Sequence, residues 1–139
     1  MICGTHAALG AALGHLAGRR LPAFLLGVAS HVLADLVPHR DYELKQEIAL
    51  LAGALAVVAA RYGVGSPAWY GALGGALPDL ETGLAMLQGR QDEARLHFPT
   101  HRGWHGAQRD ESWSQLLLAL AALALSAPRP RKGNPPPPG

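Results

Sequence analysis

The sequence predicts an all-α protein: a compact antiparallel bundle of about five helices with ligand-type side chains gathered at one end. Three observations lead there. Apolar runs of helical length are separated by Pro and Gly. No stretch alternates apolar and polar residues as a half-buried strand would. Ala, Leu and Gly dominate a chain with only 2 Phe, 3 Trp and 3 Tyr, a composition suited to closely approaching helices. At 139 residues there is material for a single core, expected over residues 1–127.

The first helix is expected over 5–18, with Thr5 as its N-cap. The second starts at Pro22, an allowed first-turn proline, and stops before Pro38. The third covers 42–62, and Gly63 and Gly65 follow it. The fourth starts at Ser66-Pro67 and is expected to break or kink at Pro78, with a shorter helical piece over 79–87. A polar loop over 88–109 leads to a fifth helix over 111–127. The last twelve residues, "PRPRKGNPPPPG", read as a basic, Pro-rich, disordered tail over 128–139.

Charge and cysteine content exclude several classes. Charged residues are 16% of the chain, against roughly 25% in a typical soluble protein. The net charge of +2, with no Lys/Arg cluster interleaved with aromatics, argues against nucleic acid as a partner. Cys3 is the one cysteine, which rules out a disulfide framework or a Cys-based zinc site. The histidine in "GTHAALGAALG" sits where a signal peptide would be purely apolar, so no cleaved signal is expected.

Short connections make successive helices antiparallel, and this sorts the polar residues. His6 starts the first helix at one end. The second returns there with His31, Asp35 and His39, and the fourth returns with Asp79 and Glu81. The loop carrying His97, His101 and His105 follows at the same end, and of the seven histidines only His15 falls outside. All ten acidic residues lie at that end or in its loop, whereas Arg19, Arg20, Arg61, Arg129, Arg131 and Lys132 lie at the other.

A ~30 Å hydrocarbon core takes roughly 20 apolar residues, with a lower limit near 17. The uncharged runs are 3–18, 21–34, 48–60, 62–78 and 112–128, of which two reach about that limit. The third helix is apolar on nearly every face, and a chain this small cannot surround several such helices with protein. A membrane-embedded bundle is therefore expected, its polar site near one surface and its acid-free basic end towards the cytoplasm. The alternative is a soluble Ala/Leu-rich bundle or oligomer.

Residues four apart share a helix face, so His31 and Asp35 in "SHVLADLVPH" can reach one ion. Imidazole with carboxylate suits zinc, and also manganese or iron. "HFPTHRGWHG" repeats the spacing on a loop, with Arg102 between two histidines as a cation for an anionic substrate such as a phosphate. In "GALPDLE", Asp79 is either the cap of the next helical piece or a bridging ligand, and Glu81 a ligand or general base. Each feature has a structural alternative: a cap, a mutual His–Asp pair or a surface salt bridge. Together His6, His31, Asp35, Asp79, His101 and His105 form a candidate ligand set for one to three divalent ions, zinc first and manganese second. Arg102 would stabilise anionic charge, while Glu81 or His39 would carry the proton. Polar groups gathered inside a membrane-like scaffold are functional candidates by default.

At these residues the chain resembles the membrane-bound metal-dependent hydrolase-like family, which includes the LexA-regulated inner-membrane hydrolase-like proteins. "THAALGAALG", "SHVLADLVPH", "ALPDLE" and "THRGWHG" echo its four elements between residue 5 and about residue 106. The order differs, because "SHVLADL" comes second rather than last. "HRGWHG" is one residue shorter than the family's element, and Glu81 stands in place of its second Asp. The family is similar to the zinc-dependent phospholipase C superfamily. The resemblance implies metal-assisted hydrolysis of a phosphoester, such as a phospholipid or nucleotide, at a prokaryotic inner membrane, with lipid as partner. The rival expectation is a non-enzymatic membrane or scaffold protein whose histidines cap helices and pair with acids.

Overall fold

The computed structural model describes residues 3–37, 42–89 and 113–126. They form α1 (Cys3–Ala17), α2 (Arg20–Asp35), α3 (Leu44–Tyr62), α4 (Pro67–Leu87) and α5 (Trp113–Leu125), with no strand among them. His39, His97, His101, Arg102, His105 and the 128–139 tail lie outside the described residues.

Contacts fix the direction of each helix. The Cys3 N–H donates to Glu47 at the start of α3, and the His15 ring meets the Tyr62 ring at its end, so α1 and α3 run parallel. Along α4, Gly75, Gly71 and Pro67 face His6, Gly10 and Gly14 in turn, so α4 runs the other way. In α2, Ala23 lies against Gly14 and Gly27 against Gly10, so it too opposes α1. The Thr5 hydroxyl donates to Gln115 O and the Tyr62 hydroxyl to Ser126 O, which sets α5 parallel to α1. The bundle alternates up and down, as the short connections require.

α1 is the central element and touches all four other helices. It can do so because most of its residues are small, and its first six, Cys3 to Ala8, are buried on every face. At the crossing of α1, α2 and α4 the main chains themselves are in contact. A methyl group on Gly10, Gly27 or Gly71 would strike a carbonyl of a neighbouring helix or come against its backbone.

The ends follow local chemistry. Glu43 and Gln46 form a reciprocal capping box at the start of α3. The Ser66 hydroxyl caps α4 by accepting from Trp69 N–H, with Pro67 in the first turn. Gly63 ends α3 with φ of 84°, a conformation that L side chains rarely adopt.

Two expectations are corrected. Thr5 is not an N-cap: α1 already starts at Cys3, and the buried Thr5 hydroxyl bridges to α5. Nor does Pro78 divide the fourth helix, because α4 is continuous from Pro67 to Leu87. A proline inside a helix forfeits the hydrogen bond to the carbonyl four residues back, here Gly74. The turn before Pro78 is held against α1 and α2 by Gly71, Gly74 and Gly75, and the proline ring itself is fully buried. Tertiary packing outweighs the local break signal.

No described helix is long and apolar enough to cross a membrane. The packing is nonetheless inverted. Among the described residues the buried apolar side chains are those of Ala and Cys, with Val58 and Pro78 the larger ones. Large aliphatic side chains point outward on all five helices, as Leu16 at 77% and Leu120 at 64% exposure illustrate.

A buried His/Asp cluster at one end of the bundle

Four of the residues singled out by sequence meet in space. His6 comes from the first turns of α1, His31 and Asp35 from the last turns of α2, and Asp79 from α4. Asp35 Oδ1 is 2.9 Å from His6 Nε2, and Asp35 Oδ2 is 3.0 Å from His31 Nε2. Asp79 Oδ1 lies 3.8 Å from His31 Nε2. The two imidazoles stack with centroids 3.9 Å apart. His6 and His31 are wholly buried and Asp35 is 1% exposed, whereas the Asp79 side chain is 21% exposed. Asp79 is thus the most exposed member of the cluster.

The backbone of α4 sets this geometry. Gly75 presses against the His6 carbonyl, so α1 and α4 approach as closely as main chains can. The Gly75 carbonyl accepts a hydrogen bond of 2.8 Å from His31 Nδ1. A carbonyl can only accept, so Nδ1 carries the proton and Nε2 is turned towards Asp35 and Asp79. His6 Nδ1 is buried and has no hydrogen-bond partner among the described residues.

The electrostatics follow from burial and pairing. Burial pushes the His6 imidazole down to about 4 against the pull of Asp35, so it is neutral near pH 7. Burial acts the same way on His31, but the hydrogen bond that it donates to Asp35 and the charges of Asp79 and Asp35 outweigh it and raise its pKa. Burial alone would raise Asp35, yet its contacts with His31 and His6 hold it well below the usual carboxylate range. In the free protein the cluster is a carboxylate shared by a readily protonated His31 and a neutral His6.

Two further residues belong here that sequence reasoning did not single out. Glu47 accepts from the Cys3 N–H at 2.8 Å and from the Tyr42 N–H at 3.0 Å, tying the start of α1 to α3. Burial raises its pKa, with Asp79 adding to the effect. The Cys3 thiol is raised by burial and then by the Asp79 charge beside it, which marks it as inert. The signal for Glu47 was its place at the acidic end; nothing in the sequence marked Cys3.

Glu81 lies on α4 and is not among the three residues whose donor atoms converge. In a continuous helix it stands about 200° around the axis from Asp79, on another face.

His6, His31 and Asp79 each offer one ligand atom, and these atoms all lie within 4.8 Å of one another. Tetrahedral bonds of 2.0–2.1 Å place neighbouring donors about 3.3 Å apart, and within this group His31 Nε2 and Asp79 Oδ1 are 3.8 Å apart. Fold and site together define a small helical bundle with a buried His/Asp centre. Compared with known proteins, the chain matches no family model, no curated protein and no solved structure.

Proposed function

We propose that this chain is a membrane-associated protein that holds a divalent metal ion at His6, His31, Asp35 and Asp79 and hydrolyses a phosphoester. The observation that carries the reading is the convergence of donor atoms of His6, His31 and Asp79, from three different helices, within 4.8 Å of one another. His31 has the arrangement expected of a metal-binding imidazole, with one nitrogen donating to a backbone carbonyl and the other turned to the donors. Two imidazoles and two carboxylates suit zinc first and manganese second. The four sequence elements that resemble metal-dependent hydrolases support a phosphoester substrate, and the outward leucines support membrane association.

Bound there, an ion supplies Lewis-acid polarisation of a phosphoryl oxygen. The chain's own residues hold and orient it. Asp35 positions both rings, Gly75 fixes the His31 tautomer, and Asp79 forms the side open to a substrate.

A second reading is favoured by the same carboxylate. Asp35 already contacts both imidazoles, so a non-enzymatic helical scaffold could keep this cluster as a buried ion-pair network. Elemental analysis separates the two. Protein purified in mild detergent, without added metal or chelator, should carry stoichiometric zinc or manganese, and a His31→Ala/Asp35→Ala variant should have lost it. Hydrolysis of bis-p-nitrophenyl phosphate or phosphatidylcholine should then vanish with a chelator. A wild-type protein that holds no metal and takes up none on titration overturns the proposal and leaves the scaffold.

A further inference from the structure

We propose that the end of the bundle opposite the His/Asp cluster docks on anionic lipid, with Arg20 meeting a headgroup and the adjacent groove between α2 and α4 taking an acyl chain. The proposal rests on the membrane association proposed above and goes beyond it by assigning the end, the residues and the lipid class.

The groove has a volume of about 420 Å³ and is lined by Arg20, Leu21, Phe24, Tyr70 and Leu73. It therefore combines one cation with four apolar or aromatic walls, the pattern that fits an amphiphile with a negative head. The Arg20 guanidinium lies 5.6 Å from the Tyr70 ring centroid, which holds the cation at the groove. Arg19 and Arg61 lie at the same end of the bundle, and the segments that build this end (15–22, 58–70 and 122–126) contain no Asp or Glu. Three arginines thus face outward with no acid in these segments to neutralise them. Tyr62, Trp69 and Tyr70 belong to the same segments, matching the aromatic residues found where proteins meet the lipid–water boundary.

The occupant is argued from the distribution of exposed apolar side chains. Around the groove Leu16, Leu21, Leu25 and Val64 are all exposed, and every other helix carries outward Leu, Ile or Val too. A second copy or a protein partner would cover one side of such a bundle. An apolar belt present on all five helices needs a medium that surrounds it, and acyl chains supply one.

The test is vesicle flotation of the full chain diluted from detergent, using phosphatidylcholine alone or with about a quarter phosphatidylglycerol. Binding should be stronger to the anionic vesicles, and raised salt should weaken it. Arg20→Gln should lower binding to them about fivefold, while Arg20→Lys retains most of it. Leu73→Trp, which fills the groove without changing charge, should also lower it. Equal binding to both vesicles, or unchanged binding in either Arg20→Gln or Leu73→Trp, overturns the anionic docking site and leaves membrane association standing. Binding to neither vesicle overturns the docking site and the membrane association with it.

Discussion

Asp35 is the residue on which the cluster turns, because it touches His6 Nε2 at 2.9 Å and His31 Nε2 at 3.0 Å while almost fully buried. Removing one partner of a buried charged pair leaves the other uncompensated, at a cost of about 3–5 kcal/mol. Asp35→Asn should therefore destabilise the metal-free protein by about that amount in urea unfolding, although shape is preserved. The cluster's pH dependence follows from three shifts, while Glu47 beside it, raised by burial, gains stability as pH falls and partly offsets them. His6 titrates at about 4 when folded, against 6.5 for the free side chain. On acidification the unfolded chain takes up this proton first, so the His6 contribution is complete above pH 6.5 and is lost as pH falls towards 4. The loss is on the order of 3 kcal/mol. Asp35 is lowered, so its contribution is lost only at still lower pH; His31 is raised, so its own is present below 6.5 and fades as pH rises through its folded value. Unfolding free energy measured from pH 7 to pH 4 should fall, and His6→Gln should flatten that slope. An unchanged slope in the variant would mean that His6 is not held neutral. The His31–Asp35 pair was legible from its four-residue spacing, and His6 and Asp79 from helix direction alone. Cys3 and Glu47 meet through a backbone N–H, which no residue pattern encodes.

At the scale of elements, glycine decides which helices can meet. Gly75 on α4 faces the His6 carbonyl so closely that a methyl group would overlap it, and backbone cannot swing aside as a side chain can. Gly75→Ala should cost about 1–3 kcal/mol and drive α1 from α4 at the cluster. Metal affinity, read by titration with a competing chelator, should fall at least tenfold. Gly53 on α3 has nothing within 4 Å, so Gly53→Ala should instead stabilise the fold by up to about 1 kcal/mol and leave metal affinity unchanged. Opposite signs for the two substitutions would show that close approach, and not helix propensity, fixes α4 against α1. Five helices and their alternation were readable because Pro and Gly bound each apolar run and the connections are short. The helix through Pro78 was not, because the force that overrides a proline there comes from residues on α1 and α2. Propensity acts within a segment, whereas those contacts join positions more than forty residues apart.

Across the whole molecule, the small side chains that let α1, α2 and α4 touch leave the interior short of large apolar groups, and the leucines lie outside. An interior of Ala, Gly and two stacked imidazoles gains little from hydrophobic burial. A metal ion held by His6, His31 and Asp79 would act as a cross-link among three helices, binding the folded chain and not the unfolded one. At free metal about 100-fold above Kd this adds about 2.7 kcal/mol, which for a chain of this size raises Tm on the order of 10 °C. Chelation should reverse the rise, and His6→Ala should abolish it. The pattern of hydrogen exchange is the sharper test, since it locates the effect. The donors lie on α1, α2 and α4, so metal should slow exchange most at the cluster ends of those helices, and least on α5, which supplies none of them. Uniform slowing over all five helices would instead mean that the described amides exchange only through global unfolding. No change on adding metal would mean that Asp35 alone holds the two imidazoles together.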